Sequence, residues 1–482
     1  MSLSSRRAIN SSKRPKVIKP KPEPIRQRAP RPRPNIELGL TVDLTFHFSA
    51  KHPTREDDIV VKGSKSFQEM PPKEHIRLFQ HKVKECMKLC DFSNPNKDQK
   101  AKVTKTKLLQ HIDSCFTNPD MVKTITPECI KDLVEMVSVN IFRQLPIMPI
   151  RGPLDANDSV IDDGWPHISL AYECLIDSFM SPHTGNFVTQ SFIYKLIGNG
   201  ISLDDNERLK VGECLKAIYV RYMNLRAGMR KSLGNHFKMQ RCSNELLIFY
   251  NSAIDGFNAP LKPEHLKFFK ESLLPLHTNE KFPKIYERYI ECLSKMIEKQ
   301  SNLLDDTFKY MKLHWPQSER PKQISFLNEV EYLILTHQKH INSENVKTAF
   351  QIIGNSIFND NADVVDKALD ILTNSKIIDV ILKYSTVIFP LVIENLLRVA
   401  KNHWDKTISG NAMVALQGLN EIDAEAFRKV NDVRVAKMKA KNTTLSQWNS
   451  KWMKILDSAK ISDPGIKNFD FSALPKSQTI SA

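Results

Sequence analysis

The sequence predicts an all-α fold, an α-solenoid of HEAT/armadillo-like helical repeats with disordered tails. Three observations carry this reading. Apolar residues recur at spacings of three and four through most of the chain, as on helices with one buried face. These helices come in pairs at a period of about 40 residues, joined by short links punctuated by proline. Glycine is scarce, 15 of 482 residues, which disfavours Gly-loop enzymes and β-rich folds. A helix pair of this size cannot bury its own apolar face. It stacks on its neighbours and leaves long exposed surfaces suited to protein binding.

Residues 1–36 hold seven prolines among basic residues, as in KPKPEPIRQRAPRPRP. Such a segment buries too little apolar surface to offset its ordering entropy, so residues 1–66 are read as a basic, Pro-rich disordered tail and a poorly ordered lead-in. Within the lead-in, LTVDLTFHF has the composition of a short strand. Helical patterning begins near Pro72. In IKDLVEMVSVNIFRQL, Ile130, Leu133, Val134, Val137 and Ile141 share one face. Comparable runs are expected at 76–90, 167–180, 187–197, 209–229, 245–257, 264–274, 282–298, 324–336, 346–358, 363–372 and 377–400. Asn-Pro at 118–119, Thr-Pro at 126–127, Ser-Pro at 181–182, Pro316 and Pro321 punctuate them. The repeats are assigned to 67–425. Residues 426–462, basic and carrying Trp448 and Trp452, are read as a capping and projecting helix, and 463–482 as a disordered tail.

The formal charge is +16, but residues 1–36 carry eleven Lys/Arg against one acid, Glu23. That surplus of +10 leaves +6 for the body, so nucleic-acid binding by the body is not expected. The tail has three open readings. SSRRAINSSKRPK has the two basic clusters of a nuclear localisation signal; the same charge suits an anionic membrane surface or nucleic acid; or the tail is simply solvated. Ser4, Ser5, Ser11 and Ser12 offer phosphorylation sites that would lower its charge.

The eight cysteines are scattered through apolar stretches, and Cys86 and Cys90, at i,i+4, have no further ligands at metal spacing. Reduced, buried thiols in a cytoplasmic or nuclear protein are the expectation. No apolar signal-peptide core is visible, and Ile377–Ala400 is interrupted by Asp379, Lys383, Pro390, Glu394 and Arg398, so no transmembrane segment is expected. Nucleophile elbows, phosphate loops, zinc-protease motifs and dinucleotide glycine patterns are absent. No catalytic residue, cofactor or metal is expected. His337 and His340 are read as a solvated helix end, and His167 and His403 as packing residues beside tryptophans.

The stretch Ile218–His265 is chemically distinctive. An apolar helix carries Tyr219 and Arg226, a second apolar helix follows, and a loop then delivers Lys262 and His265. Side by side these form an oily groove with a basic rim, fit for a short peptide with apolar anchors and a carboxylate.

Several segments resemble a known family, the B-prime regulatory subunits of protein phosphatase 2A. They include FQHKVKECMKLCDF (79–92), TITPECIKDLVEMVSVNIFRQLP (124–146), GWPHISLAYECL (164–175) and IYVRYMNLRAGMRK (218–231). DGFNAPLKPEH (255–265), LLPLH (273–277), HWPQSERPKQISFLNEVEYLI (314–334) and NHWDKTISG (402–410) follow in order, and the resemblance as a whole runs from about Phe67 to about Trp452. It implies about eight HEAT-like repeats in a non-enzymatic subunit that joins a scaffold subunit and a catalytic Ser/Thr phosphatase subunit. It also implies that substrate proteins dock through Leu-x-x-Ile-x-Glu motifs between neighbouring repeats.

Residue by residue, Tyr219 and Arg226 match the family's groove tyrosine and arginine, and Lys262 and His265 match the basic residues of the next loop. Arg226, Lys262 and His265 would surround the motif's glutamate, at roughly 1.5–3 kcal/mol per charge-assisted hydrogen bond. Other positions depart from the pattern. Lys216 and Ala217 replace the usual His-Arg, Gly212 stands in place of a lysine, and the isoleucines of the floor correspond to Phe249 and Ala253. An altered anchor preference follows. Two alternatives stay open: Arg226 as a structural partner of an acid on the next helix, and a vestigial groove. A generic HEAT-repeat adaptor, with the basic tail contacting nucleic acid or membrane, is the alternative function.

Overall fold

Asn-Pro and Thr-Pro mark helix starts in this chain, and a computed structural model shows how. The structure describes residues 45–49, 57–145 and 159–462. The Thr126 hydroxyl accepts the Cys129 N–H, and Asn118 Oδ1 accepts those of Asp120 and Met121. Proline follows each cap, at the position where a missing N–H costs nothing.

The helices in chain order are α1 (His75–Cys86), α2 (Gln99–Thr117), α3 (Pro119–Thr124), α4 (Pro127–Ile141), α5 (Trp165–Ser178), α6 (Gln190–Asn199), α7 (Asp205–Arg221), α8 (Arg226–Lys238), α9 (Asn244–Asp255) and α10 (Pro263–Phe268). Then come α11 (Phe282–Lys299), α12 (Leu303–Leu313), α13 (Arg320–Thr336), α14 (Ser343–Ile357), α15 (Ala362–Thr373), α16 (Ile378–Lys383), α17 (Ser385–Asn402), α18 (Lys406–Ile422) and α19 (Ala424–Ser462). Two short strands, β1 (Thr45–Phe48) and β2 (Ser159–Asp162), pair in parallel with Thr45 opposite Ser159.

The helices form two layers. α2, α5, α7, α9, α11, α13, α15 and α18 stack in that order in one layer. In the other, α1 packs on α4, α6 on α8, α12 on α14, and α17 lies between α14 and α19. From α5 onward the first layer's helices begin at residues 165, 205, 244, 282, 320, 362 and 406, intervals of 38 to 44. The all-α repeat architecture expected from the sequence is what the chain adopts.

The apolar core runs between the layers and includes the fully buried rings of Tyr172, Phe237, Tyr250, Phe282, Phe308, Phe326 and Phe350. Buried polar ties cross it. Arg143, just after α4, bonds both Asp162 of β2 and Glu207 of α7, and Glu207 also accepts from the Tyr172 hydroxyl. His277 Nε2 lies 3.0 Å from Glu329 Oε1 while Tyr289 reaches its Nδ1 at 3.0 Å, tying three neighbouring segments. Arg143 is buried together with its two carboxylates, so losing one partner would leave charge uncompensated.

The structure differs from the sequence expectation in several places. The run 209–229 is not one helix: α7 ends at Arg221 and α8 starts at Arg226. The run 264–274 becomes the short α10, a π-helical turn at Phe269–Leu273 and a 3-10 turn at Leu274–Thr278. The run 377–400 divides into α16 and α17, and α2, α3, α12 and α18 add to the expected set. His337 is not solvated: it is 3% exposed, with Nε2 3.0 Å from the Ser294 hydroxyl. The lead-in is partly ordered, since Ile59 N–H donates to Asp98 and Lys62 N–H to Glu85, laying residues 59–62 along α1 and α2. The terminal segments read as disordered tails, 1–36 and 463–482, lie outside the described residues, as does Leu40–Leu44 of the expected strand.

The cysteines are free thiols, buried except for the partly buried Cys242. Among the described residues, no helix is long and apolar enough to cross a membrane, and no group of three or more His, Cys, Asp or Glu is placed to hold a metal.

Candidate functional site

α7 ends where Tyr222 turns away, and the end is closed by a side chain from the next helix. Arg226 Nε donates to the Tyr219 carbonyl at 2.7 Å and an Nη to the Val220 carbonyl at 3.2 Å. These are carbonyls of α7's last turn, where a cation complements both the unpaired acceptors and the helix dipole. The guanidinium also lies 5.1 Å from the centre of the Tyr219 ring. Among the described residues no carboxylate pairs with Arg226. The alternative of a structural arginine paired with an acid on the next helix is therefore not what forms.

One turn along α8, Arg230 completes the arrangement. Its Nη1 donates to the Tyr219 hydroxyl at 3.0 Å, its Nη2 to Glu264 at 2.7 Å, and its guanidinium sits 5.7 Å from the Phe257 ring centre. Tyr219 is thus held between two arginines, with its ring edge-to-face on Phe249 at 5.5 Å. Sequence reasoning missed Arg230 and Glu264. Arg230 carried a signal, since it follows Arg226 by four residues and so shares its helix face.

The remaining predicted residues take different positions. Phe249 and Ala253, on the neighbouring α9, are buried, with Phe249 against the Tyr219 ring, so they do not form an open floor. Lys216 is exposed on α7, one turn before Tyr219. At Gly212 a Cβ would meet Glu245 at 3.7 Å, an ordinary contact, so the position has room for a side chain.

Lys262 is exposed at the start of α10. His265 is 6% exposed, stacked on Phe257 with ring centres 3.8 Å apart, and its Nδ1 has no partner. Burial, then the charge of Arg230, lowers its pKa below the ordinary value of 6.5. That shift disfavours the positive charge expected there, against the opposing pull of Glu264, whose Oε1 lies 3.3 Å from the His265 Nε2. Among the described residues, the cations of this surface without a carboxylate partner are Arg226 and the exposed Lys216 and Lys262, whereas Arg230 is already paired with Glu264.

What this arrangement can do is bind. It presents fixed guanidinium groups beside an aromatic face, and it contains no nucleophile paired with a base. A separate concavity of about 260 Å³, lined by Lys131, Phe142, Phe187, Phe192 and Lys195, lies between α4 and α6.

The protein-family model described as protein phosphatase 2A regulatory B subunit, the B56 family, matches residues 64–459. The chain belongs to this family. It is 29% identical over 75% of its length to the B' theta 57 kDa regulatory subunit of protein phosphatase 2A from Arabidopsis thaliana, covering 77% of that protein. The 56 kDa regulatory subunit delta isoform of Homo sapiens is 27% identical over 82% of this chain and 68% of its own. The delta 1 isoform of Schizosaccharomyces pombe is 28% identical over 76% and 69%. The resemblance read from the sequence is thereby borne out. This B56-family chain is a regulatory subunit of a protein phosphatase and not a catalytic one.

Proposed function

We propose that this subunit joins a phosphatase scaffold and catalytic subunit and recruits substrates through a short acidic motif that docks on the Tyr219–Arg226–Arg230 surface. The observation that carries the motif reading is Arg226: two backbone carbonyls hold it in place, yet among the described residues no carboxylate neutralises it. A preset guanidinium costs little ordering entropy when a carboxylate arrives. Tyr219 offers an aromatic face to an apolar anchor beside it. Because Phe249 and Ala253 are buried and offer no open apolar floor, the acidic end of the motif, facing the preset Arg226, dominates recognition. Family membership favours this reading over a generic helical adaptor.

The test has two parts. Tagged full-length chain expressed in eukaryotic cells is expected to co-purify with a scaffold and a Ser/Thr phosphatase catalytic subunit; failure to do so refutes the assembly reading. Separately, a labelled Leu-x-x-Ile-x-Glu peptide is titrated against the purified chain. Arg226→Ala and Arg230→Ala are each expected to weaken binding about tenfold or more, the loss of one charge-assisted bond. A Glu→Gln peptide that binds as well as the parent would remove the carboxylate from the recognition scheme, and absence of any binding would mark the groove as vestigial.

A further inference from the structure

α19 has two parts with different surroundings. Its first turns are anchored, with Ala426 buried, Phe427 and Val430 packed on the core, and Phe427 edge-to-face with Phe389 at 6.3 Å. Beyond Met438 the side chains are mostly exposed, and they are not what a solvated helix carries. Trp448, Trp452, Met453, Ile455 and Ile461 are 58%, 61%, 56%, 57% and 84% exposed. Trp448, Trp452 and Ile455 follow an i, i+4, i+7 spacing with Leu456 beside them, one apolar stripe of the kind seated in helix-binding grooves. A helix turns roughly 100° per residue, which puts Met453 beyond one edge of the stripe and Ile461 on the far side.

Charge narrows the occupant. Residues 437–462 contain six lysines and one acid, Asp457. Among the described residues none of Lys437, Lys439, Lys441, Lys451 and Lys454 is in an ion pair with a carboxylate. A second copy of this helix would bring the same positive charge and repel it. An anionic membrane would cover the stripe but leave Ile461 in water, contrary to the one-sided polarity of interfacial helices. An acidic partner that encloses the helix satisfies both the lysines and the apolar residues on its two sides.

We propose that the segment Trp448–Ile461 of α19 is a docking helix for a Ca²⁺-loaded EF-hand sensor of the calmodulin type. Such a sensor opens methionine-rich hydrophobic grooves on binding Ca²⁺, and soft, polarizable methionines adapt to bulky anchors such as paired tryptophans.

The test uses the full-length chain with calmodulin as the probe, read by tryptophan emission and calorimetry. In Ca²⁺ a blue shift and one-to-one binding with a Kd below about 10 μM are expected, both reversed by chelation. Trp448→Ala/Trp452→Ala and, separately, Lys451→Glu/Lys454→Glu should each weaken binding by about tenfold or more with the melting temperature unchanged, since both pairs lie beyond the anchored turns. The proposal is overturned by absence of Ca²⁺-dependent binding, or by binding that survives the double tryptophan change. It is also overturned if the stripe proves to be covered by a second copy of the chain, or if phosphatidylserine vesicles give the blue shift and calmodulin does not.

Discussion

Arg226 and Arg230 stand one turn apart on α8, yet they meet different neighbours. Arg226 is held by carbonyls, whereas Arg230 already has a carboxylate, Glu264, at 2.7 Å. Glu264 is half exposed, so this pair contributes little to stability while competing with an incoming acid. Glu264→Gln is therefore expected to tighten binding of an acidic peptide several-fold in an anisotropy titration, and unchanged affinity would rule Glu264 out as a competitor. Burial also sets a pH dependence elsewhere. His167, bonded to the Lys102 carbonyl, and His337 are both lowered to about 4, chiefly by desolvation. In the unfolded chain both titrate near the ordinary 6.5, so below that pH the unfolded state binds more protons than the folded one. The contribution of these two histidines is full above pH 6.5 and is lost as the pH drops from 6.5 towards 4. Thermal melts at pH 7.0 and 5.0 should differ, and His337→Gln should shrink the difference. At this scale the sequence reveals residue types but not burial: nothing in the spacing of His265 tells that Phe257 stacks on it, or in that of His337 that Ser294 of α11 reaches it.

Helix periodicity is legible because it is local, and the caps and prolines that start α3 and α4 are legible for the same reason. The end of α7 is not, because its cause lies in another repeat. Tyr222 leaves the helix to pack on Phe179, with ring centres 5.9 Å apart, and against Gly185. A Cβ on Gly185 would overlap the Tyr222 ring, closer than any side chain tolerates. Gly185→Ala therefore forces Tyr222 out of its place and loosens the turn that carries Tyr219 to Arg226. A loss of about 1–3 kcal/mol is expected by chemical denaturation, together with weaker peptide binding. Stability and affinity both unchanged would mean that Tyr222 does not set the break. The groove's floor escapes prediction for a similar reason. The apolar character of Phe249 and Ala253 is plain, but whether they lie on a surface or beneath one depends on how Tyr219 packs over α9.

Across the molecule, stacked repeats interact with nearest neighbours only, so stability accumulates interface by interface and the last helix matters through what it covers. Ala426, Phe427 and Val430 cover the end of the α17–α18 pair, whereas Arg434 bonds Asn431 and Met438 of its own helix. Two truncations should then behave differently. Ending the chain after Ile422 removes the cap and exposes apolar faces of α17 and α18. Burying two or three side chains of this size contributes several kcal/mol, so the melting temperature should fall by several degrees. Ending it after Met438 removes only the exposed segment beyond the anchored turns and should leave the melting temperature within about 1 °C, because no interface is lost. A fall of several degrees on the distal cut would mean that residues 439–462 pack on the array in solution. That would also cover the tryptophans offered for docking, so one melting curve bears on both the limits of the fold and the availability of its terminal helix.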